Sequence, residues 1–283
     1  MHSTMRIGAV NYLNSKPLVY DLPALAPSAT VSYDLPSRLA DSLAAGRLDV
    51  ALIPSVEFFR APGHRIVSDA CVACRGPVLS VKVQFRVPPR EVQSLALDEG
   101  SRTSAALAQI LLAELHGVRP KLEALPIGCG PESTAADAVL LIGDRAIADA
   151  AWEAGIADES GKPYCEVWDL GQKWCEWSGL PFVFAMWIAR ADTEVGDLAG
   201  VLGAARDHGV AHINEIAASE APLVGVSTKL ATSYLSSNLH FVLGRKERRG
   251  LRKFYDLCVV HGLAPSGLES VLSEPKQSQA YSR

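Results

Sequence analysis

Five short stretches of this chain gather side chains able to bind or transform a small molecule. In Gly8-Ala9-Val10-Asn11-Tyr12-Leu13-Asn14-Ser15-Lys16-Pro17-Leu18, two amides, a hydroxyl and an ammonium follow a short apolar run. Asn11 and Asn14 fit equally well as caps and turn formers or as ligand-binding amides. In Pro54-Ser55-Val56-Glu57, the proline presets a helix start, and Ser55 either caps that helix or meets a ligand. Gly76-Pro77-Val78-Leu79-Ser80-Val81-Lys82-Val83 turns and then alternates, with Ser80 and Lys82 on one strand face opposite Val81 and Val83. The richest stretch is Asp98-Glu99-Gly100-Ser101-Arg102-Thr103-Ser104, where three hydroxyls and Arg102 exceed what one helix cap requires. Free N–H groups at that helix start suit a carboxylate or phosphate. The Gly-Lys-Ser/Thr element of a Walker loop is missing, which disfavours nucleotide hydrolysis. Finally, Ile142-Gly143-Asp144 ends an apolar run, so a ligand can approach the backbone at Gly143, and Asp144 reads as a helix cap more readily than as an acid or base.

The elements around these stretches put four of them beyond the carboxyl end of a strand, while Val78 to Phe85 reads as a strand itself. Ile7 to Val10, Ala29 to Tyr33 and Leu48 to Ile53 read as strands, with helices at Pro17 to Tyr20 and Pro36 to Gly46 between them. That order is the signature of a parallel sheet, whose ligands sit at the strand ends. After Pro88-Pro89, where a hinge is expected, Leu95 to Leu97 restarts the pattern. Leu107, Ile110, Leu111 and Leu115 then form one apolar helix stripe closed by Gly117, and Ala138 to Ile142 is a further buried strand. Gly179 to Arg190 carries no charge until its last residue, consistent with a strand buried on both faces or passing between two lobes. The remainder to Gly262 reads as mostly helical. The run Arg245 to Arg249 reads as a solvated helix start, Ser273 to Arg283 as disordered, and Met1 to Thr4 as an extension. Trp152, Trp168, Trp174 and Trp177 read as packing residues.

A chain of 283 residues, 48% hydrophobic and 20% charged, buries one large core or two medium ones. Its net charge of −4 argues against nucleic acid held on a general basic surface. No stretch approaches the roughly 18 to 20 apolar residues of a membrane span, and no leader pattern opens the sequence, so a cytoplasmic protein is expected. Cys71 and Cys74 form a Cys-x-x-Cys, but no second pair or nearby histidine completes a metal set, so the 6 cysteines read as small buried thiols.

Taken together and in order, these motifs and Gly179-Leu180-Pro181-Phe182-Val183-Phe184-Ala185-Met186-Trp187 resemble the chorismate dehydratases of the futalosine route to menaquinone. The resemblance implies a two-lobed, periplasmic-binding-protein-like fold of type II. Each lobe would be a mainly parallel sheet flanked by helices, lobe 1 from residues 1–87 and 188–283, lobe 2 from 88–187. It implies a cofactor-independent hydro-lyase that takes chorismate, a small dicarboxylate, and has no metal, nucleic-acid or membrane partner. Asn14 and Ser80 would act at the reacting centre, with Ser101, Arg102, Thr103 and Ser104 holding a carboxylate. Ile142 and Gly143 would line the cleft, with Asn11, Ser55 and Asp144 as neighbours. The alternatives are the sister enzyme acting on cyclic dehypoxanthinyl futalosine, which is expected to use a pocket histidine, and a non-catalytic solute-binding or sensory protein.

Overall fold

A computed structural model describes residues 4–148, 164–268 and 272. The first strand, β1 (Met5–Val10), is followed by two single-turn helices, α1 (Lys16–Val19) and α2 (Leu22–Leu25), and by β2 (Ala29–Asp34). α3 (Pro36–Ala44) buries Leu39 and Leu43, one turn apart, and β3 (Val50–Pro54) is buried throughout, as continuous apolar runs should be. α4 (Ser55–Arg60) leaves β3 directly, and β4 (Arg65–Cys74) follows. Between β4 and β5 (Val81–Phe85) the chain crosses to a second sheet. That sheet is completed by β6 (Ser94–Asp98), α5 (Arg102–His116), β7 (Lys121–Leu125), β8 (Ala138–Ile142), α6 (Asp144–Ala148), β9 (Glu166–Asp169) and α7 (Leu170–Ser178). β10 (Phe182–Ala189) returns to the first sheet. There α8 (Leu198–Ala211), α9 (Ile213–Val224), α10 (Thr228–Ser233), β11 (His240–Val242) and α11 (Arg245–Val260) finish the fold.

The strand orders are β11-β4-β10-β3-β1-β2 and β7-β6-β8-β5-β9. Each sheet contains a parallel triplet of the same topology, β2-β1-β3 in one and β7-β6-β8 in the other. The other pairings are antiparallel, because the strand entering after each crossover runs back against its triplet. Two expectations therefore change. Both sheets are mixed rather than mainly parallel, and the lobe boundaries move: β5, expected in lobe 1, pairs with β8 in the second sheet, while all of β10 pairs in the first. Pro88-Pro89 is not the crossover but part of a short turn between β5 and β6. β4, β7, β9 and β11 carried no alternating pattern that set them apart in the sequence.

Several polar ties join the lobes. Arg102 on α5 reaches Asp41 at 2.8 Å and Glu57 at 3.2 Å, His261 meets Glu114 at 2.8 Å, and Asp144 accepts the Leu13 N–H at 3.0 Å. Trp168 and Trp174 are fully buried and pack on Phe85 and Phe182, with ring centroids 4.7 and 5.2 Å apart. The charge run at 245–249 is not wholly solvated, since Glu247 is only 1% exposed and binds Arg75 at 2.8 Å. Cys71 and Cys74 are buried free thiols of β4, whereas Cys165 is exposed. Trp152, residues 1–3 and the 273–283 tail lie outside the described residues. Among the described residues no helix is long and apolar enough to cross a membrane.

Candidate active site

The carboxyl ends of β1, β3 and β8 converge on a small, largely enclosed cleft. Asn14 and Tyr12 enter it from the loop after β1, and Ser80 from the crossover into β5. Ser101, Thr103 and Ser104 line it from the start of α5, and Ile142 and Gly143 from the end of β8. The rest of the wall is apolar, with Phe184 its largest member. Among the described residues lining the cleft, none is Asp, Glu, Lys, Arg or His.

Local structure explains how each group is held. In the opening loop Ser15, not an asparagine, makes the turn, donating its hydroxyl to the carbonyls of Val10 and Tyr12. Asn14 is thereby left to the cleft. Asn11 is exposed, accepts from Lys16 at 3.4 Å and faces a separate groove, with Lys16 itself paired to Glu220 at 3.1 Å. Ser80 is 1% exposed and sits beside Gly143, whose N–H donates to the Ser80 carbonyl at 2.9 Å. Its neighbour Leu79 has φ of 61°, a left-handed conformation that costs a branched residue energy and signals a geometry imposed from outside. Asp169 imposes it: one carboxylate accepts the N–H groups of Val78 at 3.0 Å and Leu79 at 2.7 Å while capping α7 through Gln172. Burial pushes the Asp169 carboxyl up, and those backbone donors oppose the shift.

At α5, Ser101 is the N-cap, accepting from the Ser104 N–H and donating to the Ser104 hydroxyl at 2.7 Å. Thr103 accepts the Val56 N–H at 3.2 Å, so a lobe 2 hydroxyl closes on lobe 1. Arg102, expected to hold a carboxylate, turns out of the cleft to Asp41 and Glu57. Ser55 is fully buried and donates to the Val183 carbonyl at 2.8 Å, which removes it from the cleft wall. Asp144 is also off the wall, tied to Leu13, and burial pushes its carboxyl up to about 6. Asp98, 4% exposed, organises the second wall by accepting from Gly100, Ile142 and Arg145. The Tyr12 ring lies over Gly143, where an added Cβ would stand 2.9 Å from the ring. Burial raises the Tyr12 hydroxyl above its ordinary range, so it stays protonated.

Comparison with known proteins identifies the class to which this cleft belongs. The family model for menaquinone biosynthesis matches residues 5–259. The chain belongs to the menaquinone-biosynthesis family. Within it, the chain is 32% identical over 258 residues to the chorismate dehydratase of Thermus thermophilus, covering 88% of this chain and 93% of that one. It is 31% identical over 188 residues to the chorismate dehydratase of Campylobacter jejuni, covering 64% and 66%. A crystal structure of an Archaeoglobus fulgidus protein superposes with a TM-score of 0.70 at 15% identity, covering 93% of this chain and all of that one. The periplasmic aliphatic sulphonate binding protein of Escherichia coli gives a TM-score of 0.59 at 14% identity, covering 99% and 94%. At that identity the likeness is one of fold, a two-lobed periplasmic-binding-protein arrangement.

In this family member the seven cleft residues expected from sequence that do meet are joined by two that were not expected, Tyr12 and Tyr234. Tyr234 lies behind the wall, fully buried, with its hydroxyl donating to Ser80 Oγ at 2.8 Å. Nothing in the sequence around Tyr234 marks it. Tyr12 sat inside the opening motif and was passed over for the amides beside it.

Proposed function

We propose that this chain is a chorismate dehydratase, converting chorismate to 3-[(1-carboxyvinyl)oxy]benzoate and water. The observation that carries the reading is a cleft of neutral donors, Asn14 and Ser80 facing the start of α5, in a chain whose relatives bear that name. A dicarboxylate would rest one carboxylate on the Ser101, Thr103 and Ser104 hydroxyls at the positive end of the α5 dipole. With no Asp, Glu, Lys, Arg or His among the described residues lining the cleft, and Tyr12 kept protonated by burial, the base is the substrate's own enolpyruvyl carboxylate. It removes the ring proton, the C–H electron pair becomes a ring double bond, and the C–O bond to the ring hydroxyl breaks. The departing hydroxide takes the proton back from the carboxylate and leaves as water. Aromatisation drives the step, so it calls for no redox partner or metal. Asn14 and Ser80 orient the carboxylate and stabilise charge on the departing oxygen. Asp144 and Lys16 are poorer bases here, one bound to the Leu13 N–H and the other paired with Glu220. The resemblance that supports this reading carries a cytoplasmic compartment with it.

Incubation of the purified protein with chorismate tests the reading. A benzoate-type ultraviolet spectrum and loss of one water by mass spectrometry are expected. Binding without turnover would assign the chain to the solute-binding proteins instead.

A further inference from the structure

We propose that Tyr234 is the positioning residue of this site, donating its hydroxyl to Ser80 so that the Ser80 proton is reserved for the substrate. The inference rests on the dehydratase reading and adds a role for a residue outside the cleft wall.

The polarity follows from counting protons. A phenol has a single O–H, and at 2.8 Å Tyr234 spends it on Ser80 Oγ. Ser80 receives one hydrogen bond, and its alternative acceptor, the Val78 carbonyl, stands 3.4 Å away. That contact is long for an O–H donor, so the Ser80 proton is available to a substrate oxygen. Burial raises the Tyr234 hydroxyl far above its ordinary range, with Asp144 and Asp169 adding to the effect, so the donor is permanent.

The backbone is arranged for this purpose. Tyr234 opens a five-residue π-helical turn, Tyr234–Asn238, directly after α10. Such turns are rare, and they displace side chains from the helical register. At its other end Asn238 donates to the Pro77 carbonyl at 2.9 Å. One turn of lobe 1 therefore grips the crossover at Pro77 and again at Ser80.

The test begins with wild-type turnover of chorismate; a wild-type chain that leaves chorismate untouched sinks the dehydratase reading and this role with it. Given turnover, Tyr234→Phe keeps the ring and removes only the hydroxyl. It is expected to lower kcat by roughly 30- to 100-fold, the scale of a misplaced catalytic group, with KM changed less than about threefold. In a Ser80→Ala background the same change should cost less than about threefold more, because Tyr234 acts through Ser80. A kcat within about twofold of wild type, a loss confined to KM, or a fully multiplicative loss in that background would overturn the proposal. If Tyr234→Phe melts early, 3,5-difluorotyrosine at position 234 preserves the ring volume while strengthening donation and weakening acceptance. A kcat shifted by at least about threefold is then expected, and an unchanged kcat refutes the role.

Discussion

Asn14 and Ser80 face a cleft whose described lining carries no charge, so each neutral donor has an unusually large share of the electrostatic task. Asn14→Ala and Ser80→Ala are each expected to lower kcat on the order of 10²-fold with modest change in KM, measured by benzoate absorbance. Asp144 has a different signature. Burial raises its carboxyl to about 6, above its unfolded value, so the stability it contributes is complete below about pH 4 and is lost as pH rises through about 6. Asp144→Asn lacks that slope. Urea melts should show the variant gaining on wild type by roughly 3 kcal/mol between pH 4 and pH 7. What made residues legible in the sequence was local pattern: hydroxyls clustered before an apolar stripe, or a glycine directly after a buried run. Arg102 misled because its charge suggested an anion, while its partners Asp41 and Glu57 come from the other lobe. Tyr234 was illegible because only tertiary packing carries it to Ser80, 154 residues away.

At the scale of elements, the turn from β8 into α6 is the tightest fit at the cleft. Gly143 has φ of 77°, and its missing Cβ is where the Tyr12 ring lies. Gly143→Ala is expected to cost about 1–2 kcal/mol for the left-handed backbone alone, read from urea unfolding, and to push Tyr12 off the wall. The activity loss should therefore exceed that of an alanine at exposed Asn11, which faces the other groove. The parallel triplets were readable in part because β1, β3, β6 and β8 are apolar runs bounded by turn residues. β10 was recognised as a buried strand but not as the partner of β3 and β4, since an uncharged run says nothing of which sheet it joins. The crossover at 75–80 was placed too late for a related reason. Pro88-Pro89 is the louder breaker, yet the chain changes sheets at the quieter Gly76-Pro77.

For the whole molecule, the lobes are held shut without ligand contacts by ties that are partly exposed. Arg102 is one-third exposed and Asp41 more than half, so this bridge is worth about 1 kcal/mol and is screened by salt. Arg102→Ala should shift the chain toward an open form and weaken substrate binding about fivefold, with kcat nearly retained. A larger radius of gyration in the unliganded variant, by small-angle scattering, would show the opening directly. The first crossover is also held from both sides: Asp169, at the end of β9, binds Val78 and Leu79, while Tyr234 and Asn238 of lobe 1 bind Ser80 and Pro77. Ser80 thus lies at the knot where the two lobes are stitched to one strip of chain, and a change in either lobe's grip on that strip reaches the cleft through it.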